Sequence, residues 1–342
     1  TRLQGDWSSD VCSSDLNAAI TSAILETTRL LGTALELQPR SAGGAGETWE
    51  EKLARVASDI EQRMPMPFDL EAIAVAYPTV FENSMNTILT QESERFDNLL
   101  RRVRTTLRDS QRAILGEVLM SEELEQMGNS LVNGLVPTIW MAVSYPSLKP
   151  IGGYVADFLE RLAFINRWVA EDSPTVFWIS GFFFTQSFLT GTRQNYARKT
   201  GIAIDLLSYD FQVVEDGKEL TELPPQGAYI NGLFLQGAKW DPVAPGCSGG
   251  DGRANGGLVN SDPRVLYMTM PQIWLMVKET DKIDPLHIYV CPTYKTSIRQ
   301  GMLTTTGAST NFVMMIHLPM LAESVQSDWI KAGVAMLCAL DD

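Results

Sequence analysis

The chain has 342 residues, 45% of them apolar, and a formal net charge of -14, enough to bury a sizeable core and more readily divided into two domains than held as one. The acidic excess argues against a nucleic-acid or anionic-membrane surface, because both need clustered Lys and Arg to neutralise phosphate. Cys12, Cys247, Cys291 and Cys338 lie far apart with no CxxC pair, so neither a disulfide scaffold nor a zinc knuckle is indicated and a reducing compartment fits.

No charged start followed by an apolar stretch opens the sequence, so no signal peptide is expected. The run Asp6-Trp-Ser-Ser-Asp-Val-Cys-Ser-Ser-Asp-Leu16 instead resembles the translation of a short-read sequencing adapter, and residues 1–16 are set aside from the fold; a Ser/Asp-rich linker is the alternative. After a Gly-rich break at Ser41–Gly46, Thr48-Trp-Glu-Glu51 has the form of a capping box, in which the Thr hydroxyl and the Glu carboxylate satisfy orphan backbone donors reciprocally. Trp49, Leu53, Val56, Ile60 and Met64 then recur at helical spacing, and Pro65 and Pro67 mark the end of a helix that packs on one side.

From Phe81 to Leu115 the apolar positions Phe81, Met85, Ile88, Phe96, Leu99, Val103, Leu107 and Ile114 keep helical phase through a charged background. At ~1.5 Å per residue this is a rod on the order of 50 Å long. Its arginines, from Arg95 to Arg112, are interleaved with Glu92, Glu94, Asp97 and Asp109, which reads as a solvated helix face, not a binding patch. Ser121-Glu-Glu-Leu124 restarts a helix with a good cap and carboxylates at the positive end of the dipole. After Pro137, Pro146 and Pro150, the stripe Tyr154, Phe158, Leu162, Ile165 and Val169 predicts another amphipathic helix. Val176–Lys199 reads as a buried helical segment ending before Gly201; its apolar run, Val176–Leu189, is polar-interrupted and falls short of the ~20 residues that a bilayer crossing needs.

Beyond residue 201 the pattern changes to short segments rich in Val, Ile, Tyr, Phe and Trp between Gly, Pro, Asp and Asn. Strands are expected at Ile204–Val214, Tyr229–Leu235, Gln272–Lys278, Leu286–Tyr294, Asn311–Leu318 and Gly333–Leu340. Without crossover helices between them, the expected fold is α+β: a helical N-terminal region followed by a C-terminal antiparallel β-barrel or sandwich.

Chemical motifs are sparse. No GxxxxGK[ST] phosphate cradle is present. The glycines of Gly249–Gly257 approach a dinucleotide fingerprint, yet the pattern from Gly250 fails at Asn255 and no strand-to-helix context surrounds it, so a surface loop is expected. His287 and Cys291 lie four apart in an expected strand, a spacing ill suited to one metal, and further ligands are not evident. His317 with Ser180, Ser297 or Ser309 lacks the GxSxG elbow that would place a serine on a strained turn. Trp140, Trp168, Trp178, Trp240, Trp274 and Trp329 sit among apolar neighbours, so packing is expected of them before ligand binding.

More specific are several short words: Glu82-Asn-Ser-Met-Asn-Thr-Ile-Leu89, Ser144-Tyr-Pro-Ser-Leu-Lys-Pro150, Phe177-Trp-Ile-Ser-Gly-Phe-Phe-Phe184, Gln194-Asn-Tyr-Ala-Arg-Lys199, Tyr289-Val-Cys-Pro292 with Tyr294-Lys-Thr296, Leu303-Thr-Thr-Thr-Gly307 with Ser309-Thr-Asn-Phe312, and Val334-Ala-Met-Leu-Cys338. In this order, from about residue 17 to 342, they resemble the C-terminal regions of dynein heavy chains, and the Trp-Ile-Ser-Gly-Phe-Phe-Phe and Tyr-Pro-Ser-Leu-Lys-Pro wording is similar to the axonemal members. Two departures stand out: Ala308, where relatives commonly carry His, and a more Gly-rich connection at Pro242–Pro263.

The resemblance implies a ring of six ATPase-type modules in a microtubule motor of cilia and flagella. Residues 17–145 would be the helical tail of the sixth module, 146–201 the helical part of the C-terminal domain, and 202–342 its barrel-like part. It further implies that ATP and Mg are handled by preceding modules, that microtubules and other dynein subunits are met through preceding regions, and that this region braces the ring and modulates force and processivity. No catalytic, cofactor-binding or metal-binding residue is expected in this segment, nor nucleic acid or membrane as partner; the expected location is the cytoplasmic cytoskeleton, in the axoneme. A free-standing β-domain that binds a protein or ligand is the alternative.

Overall fold

The structure is a computed structural model that describes residues 47–214, 220–242, 256–261, 265–280, 287–299, 309–320 and 324–341. The adapter-like run, Ala308 and most of the Gly-rich connection lie outside them. The first helix, α1 (Trp49–Arg63), opens on the expected capping box: the Thr48 hydroxyl accepts from the Glu51 amide at 3.2 Å and the Glu51 carboxylate accepts from the Thr48 amide at 2.8 Å. Leu53, Ala57 and Ile60 face inward and the opposite side is solvated. A short helix that periodicity is too brief to reveal, α2 (Leu70–Ala76), follows on an Asp69 cap.

The rod is α3 (Ser84–Ile114), 31 residues long, and it is the axis of the helical half. Against it pack α1, α2, α4 (Glu122–Val132), the single turn α5 (Thr138–Met141), α6 (Ile151–Glu171) and α7 (Thr185–Thr200). Trp140 inserts fully buried beside α3 and donates its indole N–H to the Thr106 hydroxyl at 2.9 Å, so the polar tip is satisfied while the ring is packed. Where α7 crosses α3, a Cβ on Gly191 would collide with Ile88 Cδ1 and stand 3.3 Å from Ser84 Cβ, so the crossing is as close as it is because position 191 has no side chain.

Val176–Lys199 is not helical throughout. Val176–Trp178 forms β1, Ile179–Gly181 is a turn of 3-10 helix, and α7 begins only at Thr185. The β-branched and aromatic start of this run pairs in parallel with β3 (Ala228–Asn231), and tertiary pairing overrides the local helical reading. Expected Tyr229–Leu235 divides likewise into β3 and β4 (Phe234–Gln236), because Gly232 turns the backbone at φ 85°, a left-handed conformation that favours glycine.

Four strands form one sheet in the order β1-β3-β8-β2, with β2 at Leu207–Val213 and β8 at Ile273–Glu279. Five form a second, β10-β9-β11-β4-β7, comprising β7 (Tyr267–Thr269), β9 (Ile288–Tyr294), β10 (Phe312–Pro319) and β11 (Ala335–Leu337) with β4. β5 (Lys239–Asp241) and β6 (Gly257–Val259) make a two-stranded ribbon, and α8 (Gln326–Lys331) precedes β11. The α+β class therefore stands, but among the described residues the sheets are open and do not close into a barrel. Nor are they purely antiparallel: β1 runs parallel to β3, and β11 to β9. A strand returning after a helix, as β11 does after α8, can enter a sheet in either sense, which strand patterning alone does not reveal. One continuous buried cluster runs from Leu53 in α1 through Phe158 and Ile230 to Cys338.

Candidate functional site at the junction of helices and sheets

The most organised polar chemistry lies where the helical half meets the sheets. Glu92, in the middle of α3, is fully buried, not solvated as its charged neighbours suggested. It occupies the position between Ile88 and Phe96 on the apolar stripe, so helical phase carries it inward. Its carboxylate accepts from the Phe183 amide at 2.5 Å and the Phe184 amide at 3.1 Å, and Arg95 donates to it at 3.0 Å. Phe184 gives α7 no side-chain cap; Glu92 supplies from another helix the acceptor and negative charge that this helix start lacks. Burial raises the Glu92 pKa, opposed by the two amides and by Arg95. Asp97, five residues on, is also buried: it accepts from the Phe68 amide at 2.9 Å and pairs with Arg101 at 2.5 Å, pinning the segment that leads into α2. The arginine stripe thus remains largely exposed, but two of the carboxylates read as its solvated partners are inward clamps.

A second clamp sits on α6. Arg161, buried, pairs with Asp157 at 2.6 Å, donates to the Phe182 carbonyl at 3.3 Å, and lays its guanidinium 3.9 Å from the centre of the Tyr145 ring. A buried guanidinium is tolerable only when paired and hydrogen-bonded in this way. Beside it, burial pushes the Cys338 thiol up to about 12, and burial lowers the Lys295 pKa.

Four further bonds carry helices or turns onto strands. The Ser180 hydroxyl donates to the Gly232 carbonyl; the Gln186 amide donates to the Val313 carbonyl of β10 at 2.5 Å; and the Tyr209 hydroxyl of β2 bonds both Thr192 and the Leu189 carbonyl of α7. Burial pushes the Tyr209 phenol up to about 12, so it stays protonated as a donor. The sequence words meet one another here. Ser84 accepts from Arg198 at 2.8 Å, its amide donates to Asn195 at 2.8 Å and its hydroxyl to Gln194 at 2.9 Å, which ties the Glu82 word to the Gln194 word. The Tyr289 hydroxyl donates to the Val334 carbonyl at 2.7 Å, and the Cys338 amide to the Tyr294 carbonyl at 2.8 Å.

The residues weighed for catalysis or metal binding are not brought together. His287 is exposed just before β9, whereas Cys291 faces the core and burial raises its thiol. His317 stands edge-on to Phe211 at 5.4 Å. Ser180 is engaged by Gly232, Ser297 donates to Asp341 at 2.6 Å, and Ser309 accepts from the Asn311 amide at 3.1 Å. Among the described residues no group of three or more His, Cys, Asp or Glu could hold a metal, and no helix is long and apolar enough to cross a membrane. Of the tryptophans, Trp140, Trp168, Trp240 and Trp329 are buried, and Trp178 and Trp274 are half-buried. The end of the Gly-rich run is ordered strand: Gly257 opens β6, and a Cβ on Gly256 would stand 2.5 Å from the Asp241 carbonyl oxygen.

The family model for the C-terminal domain of the dynein heavy chain matches residues 24–338, helices and sheets alike. Dynein axonemal heavy chain 3 of Mus musculus is 48% identical over 326 residues, a span of 95% of the present sequence and 8% of the relative. Dynein axonemal heavy chain 1 of Homo sapiens is 46% identical over 95% of the present sequence and 7% of its own. Dynein axonemal heavy chain 12 of Mus musculus is 46% identical over 93% of the present sequence and 10% of its own. The protein therefore spans a tenth or less of the length of these relatives.

Proposed function

Because the protein belongs to the family of dynein heavy chains, within their C-terminal domain, we propose that it is a C-terminal part of an axonemal dynein heavy chain, a minus-end-directed microtubule motor of cilia and flagella. In this reading residues 17–145 are the helical tail of the sixth ring module, 146–201 the helical part of the C-terminal domain and 202–342 its sheet-built part. The two larger sheets pack in the manner of a sandwich, with β10 against β2 where His317 meets Phe211. The region braces the ring and modulates force and processivity. ATP hydrolysis, with its Mg, and microtubule contact belong to other parts of the motor, and this segment carries no catalytic, cofactor-binding or metal-binding residue of its own. Its partner is the rest of the ring, and through it microtubules and other dynein subunits in the axoneme, with no part for nucleic acid or membrane.

The observation that carries this reading is the fastening of one half to the other. Ser180 and Gln186 bind backbone of the sheet-built half, Tyr209 binds backbone of α7 in return, and Glu92 and Arg161 hold the segment before α7 from which these contacts are made; a brace needs such contacts because backbone held by several directed bonds resists sliding. The free-standing β-domain is not favoured, since the family match runs through the helical half as well. Deleting residues 202–342 from an intact motor that carries this segment is expected to lower stall force and shorten runs in an optical trap. Unchanged force and run length would overturn the bracing role.

A further inference from the structure

Between α6 and the sheet lies a cleft of about 570 Å³ that the junction does not use, lined by Glu160, Phe164, Arg167, Trp178, Asn231 and Gln272 among others. Its volume is within the ~300–1,000 Å³ of ordinary ligand sites. Two of the seven buried side-chain polar atoms without a hydrogen-bond partner among the described residues, Asn231 Oδ1 and Gln272 Oε1, belong to its wall. An acceptor shut away from partners is costly, and two in one cleft call for an explanation. The backbones beneath them are fixed, Asn231 by pairing with Trp178 in the sheet and Gln272 by the bond from the Val214 amide. The terminal amide torsions are soft, so each oxygen can turn toward a donor in the cleft. The apolar wall is rigid: Trp178 and Phe164 meet edge to face at 6.1 Å, and Gly232 lies so close beneath the indole that a Cβ there would collide with it.

At the cleft mouth, Glu160 and Arg167 are exposed, and neither makes an ion pair or side-chain hydrogen bond among the described residues. They share a face of α6 two turns apart, about 10 Å along the axis at ~1.5 Å per residue, with Phe164 between them. Side chains of an extended peptide alternate faces, so residues four apart, about 13 Å, turn both charges to one side, and the flexible arms of Glu160 and Arg167 take up the difference. We propose that this cleft binds an extended peptide segment of a partner protein, with basic and acidic residues four positions apart meeting Glu160 and Arg167. The apolar side chain midway between those two, on the same side of the peptide, packs on Phe164 and Trp178, and backbone N–H groups reach Asn231 and Gln272. Peptide is favoured over a purely cationic or anionic ligand because the two charges are opposite and the unmet groups are neutral acceptors that match amide donors.

The test uses the 342-residue protein and two acetylated, amidated pentapeptides, lysine-serine-leucine-serine-glutamate and glutamate-serine-leucine-serine-lysine, followed by NMR of the Asn231 and Gln272 side-chain amides and the Trp178 indole N–H. One order is expected to shift all three signals saturably, and its serine-centred analogue to bind at least tenfold more weakly. Exchanging the two exposed charges, Glu160→Lys with Arg167→Glu, checked for unchanged melting, is expected to reverse which order binds. Asn231→Ala and Gln272→Ala, checked for unchanged melting, are each expected to weaken binding about tenfold. No shift with either peptide at millimolar concentration, equal binding of the serine analogue, or a preference indifferent to the charge exchange overturns the proposal.

Discussion

Glu92 is fully buried in α3, and His317 lies half-buried in β10. Glu92 carries charge into the core and is stabilised there by two backbone amides and Arg95. Glu92→Ala leaves those amides buried without an acceptor and is expected to cost roughly 2–4 kcal/mol, whereas exposed Glu94→Ala should stay within about 0.5 kcal/mol; urea denaturation of the two variants measures both. His317 is half-buried against Phe211, and burial lowers its pKa, with Asp210 opposing and Lys278 reinforcing the shift. A histidine with a depressed folded-state pKa favours the fold while neutral. Its contribution is present above the unfolded value of about 6.5 and is lost as pH falls from there through the folded value. Stability followed by chemical denaturation should therefore decline from about pH 6.5 downward, and His317→Gln should flatten that limb.

At the scale of elements, the close approach of α7 to α3 decides how the helical half joins the sheets, since α7 carries Gln186 and Thr192 to the strands. Gly191 permits it. Gly191→Leu forces the helices apart and is expected to cost about 1–3 kcal/mol by overpacking. The obstructing atom is the tip of Ile88, so adding Ile88→Ala should return part of that loss. A double-mutant cycle showing simple additivity would mean that the two positions do not compete for the same space. The capping box of α1, the rod of α3 and the restart at Ser121 were legible because each depends on residues within one or two turns. The division of Val176–Lys199 was not, because it follows from a strand partner distant in sequence.

For the molecule as a whole, residue patterning by itself determined the order of the halves, the stripes that face the core and the absence of a phosphate cradle. These depend on helical and strand periods and on residue types a site cannot do without. Its short words also pointed to the family, and in the fold several of them meet: Ser84 with Asn195, and Tyr289 with Val334, are partners that hold distant segments together. Only the tertiary structure decided that the sheets stay open with two parallel pairings, that Glu92 and Asp97 turn inward as clamps, and that Asn231 and Gln272 share a cleft. The reason is physical: a period along the sequence tells which face of an element is buried, but the partner that satisfies a buried polar group is set by elements that meet only once the protein has folded.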